Sequence, residues 1–445
     1  MRLLAVNVTM LVLWVWPHLL CADDWPQWLG PNRDSVWRES GIVGKIPADG
    51  LPIKWRVPVE LGYSGPAVAD GKVFVTDYVK TSGKITNNPG GRDKLEGTER
   101  LLCLDAGSGK LLWKHEYECP YQMSYPGGPR CTPTVDSGRV YTLGAEGDLI
   151  CLEADSGDVV WQKQLKTEYK VETPIWGFAA HPLVRDNALY CVVGGPGSVA
   201  VAFDKNTGKE LWRALSAKEP GYCPPTWIEH AGVPQLLIWH PEAMNSLNPK
   251  TGHVYWSLPL KPSYGMSIAA PRKLGDRLFA SGIGTAAALF KLNDQRPAAE
   301  ILWQGKTKMA LYSANSTPFL EGDVIYGVDC RPGALVAARL EDGRRLWETF
   351  EPTGGERRTN HGTAFLVKHD DKFWLFNEAG DLILARLTPE AYQELGRFHV
   401  LDPTNTAFNR DVVWSHPAFA GGCVFARNDK EIVCVDCRSR PTGGK

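Results

Sequence analysis

Six tryptophans, Trp113, Trp161, Trp212, Trp256, Trp303 and Trp347, follow one another at intervals of 44 to 51 residues, and most close the same hairpin. Four copies read LDAGSGKLLW from Leu104, LEADSGDVVW from Leu152, FDKNTGKELW from Phe203 and LNPKTGHVYW from Leu247. A period of this size, built from short alternating strands, specifies one four-stranded propeller blade per repeat. In each unit a short strand follows a proline (SGPAVAD, CTPTVDS, AHPLVRD, STPFLEG) and a second alternates with period 2 (GKVFVTD, GRVYTLG, DVIYGVD). The third strand ends on a residue such as Asp105, Glu153 or Asp204, whose carboxylate is placed to accept turn amides. Gly109, Gly157, Gly208 and Gly252 supply the positive φ that such turns need. The tryptophan then buries its ring between neighbouring blades, leaving the indole N–H for a backbone acceptor. All of these residues are expected to be structural.

The degenerate copies set the blade count. FKLNDQRPAAEILW lacks the turn glycine, ARLEDGRRLW keeps it, and ARLTPEAYQELGRF carries Phe398 in place of tryptophan. The last unit, SHPAFAGGCVFARNDKEIVCVDC, stops after three strands, and IKWRVPV around Trp55 is available at the other end to complete it. Closure of this kind removes the open sheet edge. The expected fold is therefore all-β: an eight-bladed propeller over residues 51–440, with seven contiguous blades and one shared between the termini. The polar, Gly-rich stretch Val79–Arg100 is expected to be a surface loop.

Lys+Arg is 49 against Asp+Glu 50, so no basic excess points to nucleic acid. Residues 1–22 combine an early arginine, an apolar run and a small-residue exit, the pattern of a secretory signal peptide rather than a membrane anchor. HLLC, ending at Cys21, is only a faint match to a lipoprotein cleavage box, because Leu20 sits where a small residue is wanted. The expectation is an exported or periplasmic monomer of the cell envelope with no membrane span after cleavage. Ten cysteines remain after the signal, and an oxidising compartment permits disulfides. Cys119 and Cys131, bracketing CPYQMSYPGGPRC, are the candidate pair; Cys103, Cys151 and Cys434 occupy one repeat position and read as small buried apolar side chains.

The hairpin (L/F)D-x-x-(S/T)-G-K-x-x-W resembles the repeat of the pyrroloquinoline-quinone (PQQ) dehydrogenase-type propellers. These include the non-enzymatic propeller lipoprotein of the outer-membrane β-barrel assembly machinery. The resemblance runs from about Trp55 to Cys437. The leader DWPQWLGPNRDS (Asp24 to Ser35) is similar to the opening of exported quinone-repeat-like proteins from bacteria such as planctomycetes. The resemblance implies an eight-bladed propeller; a family holding both enzymes and binders leaves the activity open. Its quinone-dependent alcohol dehydrogenases combine a stacking tryptophan, a disulfide between adjacent cysteines, a Ca²⁺ held by carboxylate and amide oxygens, and a catalytic aspartate. No two cysteines are adjacent in this chain, and no catalytic residue is assigned. PQQ is the one cofactor the family suggests.

The irregular residues before each innermost strand should face one mouth of the central channel. They supply an aromatic set, Tyr63, Trp176, Tyr222, Tyr264, Tyr312 and Trp414, and a polar set, Arg130, His181, Arg358, His361, His416, Asn315 and Asn360. One reading makes them a ligand pocket of stacked rings and a few convergent polar groups; the other makes them a filled funnel whose polar atoms serve local backbone. Blades seven and eight are neighbours, so His361 and His416 are expected to approach each other, but no metal site is assigned. Residues 23–50 are expected to pack Trp25 and Trp28 on the propeller, with a lid or docking peptide as the alternative. The expected function is non-catalytic binding of an envelope protein partner or a small ligand on one face. A PQQ-dependent oxidoreductase and a carbohydrate-binding module are the alternatives.

Overall fold

The recurrent hairpin folds alike in its copies. Asp105 Oδ1 accepts the Ser108 amide at 2.8 Å while Gly109, at φ +73°, reverses the chain. Asp204 accepts the amides of Asn206 and Thr207 at 3.0 and 2.9 Å. Bonds to Ser108 and Thr207 hold both carboxyls below their ordinary pKa.

In the computed structural model, which describes residues 23–355 and 358–439, these hairpins close the blades of an eight-bladed all-β propeller. Seven blades are contiguous in the chain. The eighth takes Ala418–Ala420, Cys423–Arg427 and Glu431–Asp436 from the C-terminal end and Ile53–Pro58 as its outermost strand, with Trp55 opposite Cys434.

What joins the blades is one contact, repeated. Trp113 Nε1 donates to Ala154 O of the next blade (3.1 Å), Trp161 to Lys205 O (2.9 Å), Trp212 to Pro249 O (2.9 Å), Trp303 to Leu340 O (3.0 Å) and Trp347 to Thr388 O (2.9 Å). Trp55 on the closing strand does the same to Ala106 O at 3.0 Å. Beneath every one of these rings except that of Trp347 lies the turn glycine of the following blade. A Cβ on Gly157 would come within 2.5 Å of the Trp113 ring, on Gly208 within 2.8 Å of Trp161, and on Gly252 within 2.6 Å of Trp212. The glycine is thus required for its φ and again as the seat of a ring. Two turns lack the glycine: at Thr388–Ala391 of blade 7 the bond from Trp347 is kept, whereas at the blade 5 turn that starts at Asn293 Trp256 Nε1 donates instead to Gln235 Oε1 of its own blade. Apolar clusters fill the gaps between successive blades, so the core is a ring rather than a single centre.

The leader occupies the hub. Trp25 forms a β-bridge with Val68 of blade 1, Pro26 O accepts the Val135 amide of blade 2, and Trp37 N donates to Lys368 O of blade 7. Arg33 donates to Pro182 O of blade 3 and to Pro225 O of blade 4 (3.2 Å), while Arg272 of blade 5 donates to Arg33 O at 2.7 Å. Burial lowers both guanidinium pKa values, Arg33 to about 9 and Arg272 to about 10, so both stay charged at neutral pH. The signal-like residues 1–22, with Cys21, lie outside the described residues.

Two expectations need correction. Val79–Arg100 is not a surface loop throughout. Its ends prolong the strands Lys72–Gly83 and Asp93–Asp105, paired from Lys72↔Asp105 to Gly83↔Leu95, because Tyr78 and Leu95 are buried and Tyr78 stacks on Tyr121 at 4.0 Å. Only the tip, residues 84–92, is irregular. Cys119 and Cys131 are free thiols: Cys119 packs with Tyr78 and Tyr121, Cys131 with Tyr141 and Phe178, in separate clusters.

Gly157→Ala should lower the thermal midpoint clearly more than Gly138→Ala. Both have left-handed φ, but a Cβ on Gly138 meets nothing within 4 Å. Strain alone costs about 1 kcal/mol, and the Trp113 clash adds a further ~1–3 kcal/mol. Equal midpoints, measured by circular dichroism melts of both variants, would refute the ring-seat account.

Candidate functional site

The approach residues converge on a cup of about 600 Å³ at one mouth of the channel. Tyr63, Arg130, Trp176, His181, Tyr222, Tyr264, Asn315, Asn360, His361, Trp414 and His416 all line it. Two predicted residues do not. Tyr312 is buried between blades 5 and 6, where its hydroxyl donates to Lys306 O, and Arg358 is exposed and is not a lining residue. The sequence reading missed Trp28 of the leader, Tyr125, Met266, Ile268 and Phe408. None of these falls at a repeat position, although aromatic residues in irregular segments were the available signal.

Each wall has a local cause. Trp28 lies against His181, rings stacked at 4.6 Å, and presents its edge to His416 at 5.8 Å. His181 Nδ1 accepts the Thr132 amide (2.9 Å), which leaves Nε2 as the protonated nitrogen of the neutral ring. His416 sits 3.7 Å from the Phe365 ring, with Nε2 3.4 Å from Asn315 O. His361 instead stacks on Phe408 at 4.6 Å. The two histidines that share a neighbour are thus His181 and His416, through Trp28, rather than the expected His361 and His416. Burial is the main reason all three imidazoles have lowered pKa values, and His416 falls to about 3. At neutral pH the cup therefore holds uncharged imidazoles.

Arg130 is the cup's cation. It donates through Nε to Trp176 O (2.8 Å), through Nη1 to Gly128 O, and through Nη2 to Ser124 O (3.2 Å) and Tyr125 O, while its guanidinium lies 5.1 Å from the centre of the Tyr63 ring. Trp414 is steered by Glu378, which accepts its indole N–H at 3.3 Å and pairs with Arg410. Four cup residues with bulky rings, Tyr125, Tyr264, His361 and Phe408, have left-handed backbones (φ +49°, +60°, +58° and +50°). Such conformations cost about 1–3 kcal/mol each and cluster where a site needs fixed geometry.

Beside the cup lies a second cavity of about 400 Å³, lined by Asn87, Thr404, Asn405, Thr406, Asn409 and Asp429 among others. Pro89, Tyr125 and Phe408 border both. The blade 1 tip reaches this junction, where Asn87 Nδ2 donates to Asn405 Oδ1 (2.9 Å) and Thr406 O (2.7 Å) on the hairpin Asn405–Ala407/Arg410–Val412.

A family model described as outer membrane protein assembly factor BamB matches residues 97–349 and 243–441. The chain belongs to this family of PQQ-like propellers. No curated protein matches it in sequence. BamB from Moraxella catarrhalis is 14% identical, with a TM-score of 0.57 over 88% of this chain and 99% of the other. Quinohemoprotein alcohol dehydrogenase from Comamonas testosteroni is 12% identical, with a TM-score of 0.59 over 95% of this chain and 82% of the other. A europium-containing methanol dehydrogenase is 12% identical, with a TM-score of 0.54 over 92% and 89%. At these identities the likeness is one of fold.

A quinone held with a calcium ion does not suit the residues of this PQQ-like propeller. Calcium takes about six to eight oxygen ligands, largely carboxylates. Among the described residues no Asp or Glu lines the cup, and no group of three or more His, Cys, Asp or Glu is arranged to hold a metal ion. Among the described residues no helix is long and apolar enough to cross a membrane.

His416 makes stability fall on acidification. Its folded pKa of about 3 lies below the ordinary 6.5, so between those values the unfolded chain takes up a proton that the folded one refuses. The stability is present above pH 6.5 and lost as pH falls towards 3. Urea titrations should show wild type losing roughly 1–3 kcal/mol more than His416→Phe between pH 7 and pH 4, allowing for partial solvent access. Parallel losses in the two proteins would contradict this assignment.

Proposed function

We propose that this protein is an exported, non-catalytic propeller that binds a small ring-bearing ligand in its mouth cup. The observation that carries the reading is the cup itself. Its volume of about 600 Å³ lies within the range of small-molecule sites, and rings from six blades and the leader face one space. The wall holds one guanidinium and neutral imidazoles. With no carboxylate among the described lining residues, no carboxylate pair is available for acid–base work. Export, expected from residues 1–22, belongs to the same proposal.

An envelope protein partner is the second reading. The family's description as an assembly factor favours it, as do the exposed Leu111, Leu112 and Leu211 on outermost blade strands, 48%, 48% and 52% accessible.

Thermal-shift titration against a panel of aromatic and saccharide rings should raise the melting temperature for at least one ring class. Trp176→Ala and Trp414→Ala should abolish that shift. A panel with no shift, or a shift retained in both variants, would overturn the cup reading. Turnover in a dye-linked alcohol oxidation assay with added PQQ and Ca²⁺ would overturn the non-catalytic half.

A further inference from the structure

The cup and its neighbouring cavity differ in chemistry and meet at a seam whose polar atoms lack partners. The cup is walled by rings. The second cavity sets amides and hydroxyls from Asn87, Thr404, Asn405 and Thr406, with Asp429 as its carboxylate, among the apolar Leu61, Ile85 and Ala407. At the junction, Asn87 Oδ1 and Tyr125 Oη are buried without a hydrogen-bond partner. Tyr63 Oη, on the cup side, lies beside the Asn405 amide but outside hydrogen-bond geometry. Buried polar atoms left unpaired cost about 1–3 kcal/mol each, so a cluster of them calls for an occupant.

We infer that the two cavities form one site for a neutral oligosaccharide, with one sugar ring against the aromatic cup and the next in the amide-lined cavity. The inference rests on the reading of the cup as a ligand site and names what fills it. Sugar hydroxyls both donate and accept. They can therefore satisfy Asn87 Oδ1, which only accepts, as well as the two tyrosine hydroxyls. The apolar C–H face of a pyranose suits the flat rings of the cup. The second cavity argues against other two-part ligands. Among its described lining residues there is no cation to hold a phosphate, and Asp429 would repel one. A lipid chain would leave the cavity's amides and hydroxyls, set among Leu61, Ile85 and Ala407, without a hydrogen-bonding partner.

The seam also gives a variant that separates binding from folding. Tyr125→Phe removes a hydroxyl that bonds to nothing in the protein, so its melting temperature should equal or slightly exceed that of wild type. The experiment is a glycan array of gluco-, manno- and galacto-configured mono- to tetrasaccharides, followed by calorimetric titration of the best series. Di- or trisaccharides should bind at least tenfold more tightly than the monosaccharide. Tyr125→Phe should weaken oligosaccharide binding about tenfold, with the protein's melting temperature unreduced. Equal affinity for mono- and oligosaccharides would overturn the two-cavity site while leaving the cup. So would an oligosaccharide affinity unchanged in Tyr125→Phe. Binding of aromatic compounds but no saccharide would overturn the sugar assignment alone. Binding of neither class would overturn this inference and the cup reading together.

Discussion

The indole of one blade resting on the turn glycine of the next is the contact on which the ring depends. It joins dispersion, a hydrogen bond and a backbone constraint at a single point. The ring fills the space left by the missing Cβ, and the N–H reaches a carbonyl of the same turn. Each blade has strong contacts only with its neighbours, so stability in such a ring is built up joint by joint. Of the two joints without the glycine, Trp347 still reaches Thr388 O of the next blade, whereas Trp256 bonds within its own blade.

Because these joints fix the blades around the rim, the mouth is free to vary. The residues before each innermost strand are bound by no repeat rule, and there the chain places its left-handed rings, its neutral histidines and Arg130. Regular outer joints and an irregular inner mouth divide support from recognition, as elsewhere in proteins where loops on a rigid scaffold carry binding.

The legible and illegible parts of the sequence divide along the same line. The turn at Asp105 is made by residues within a few positions of one another, so DAGSGK reveals it. The closing strand around Trp55 is legible because a three-stranded last unit leaves an unmet demand. Most mouth residues could be found because they precede a recognisable strand. Tyr312 sits in an equivalent approach, but its ring turns between blades 5 and 6 to reach Lys306 O, a choice made by packing. Trp28 packs on the propeller and in doing so floors the cup, a placement that depends on a leader threaded past strands distant in sequence. Cys119 and Cys131 looked paired because a loop joins them, but their side chains enter different cores.

The threaded leader also bears on how the chain is made. Trp25, Trp28 and Trp37 emerge early in synthesis, yet their burial sites include His416, Phe419 and Trp374 near the other end. Ile53–Pro58 likewise waits for Glu431–Asp436. For most of translation the nascent chain therefore carries three unsheltered indoles and an unpaired strand, features that invite aggregation. Such contacts, spanning nearly the whole sequence, also predict slow final closure. The segment that completes the ring is thus the one that most needs protection before the ring exists.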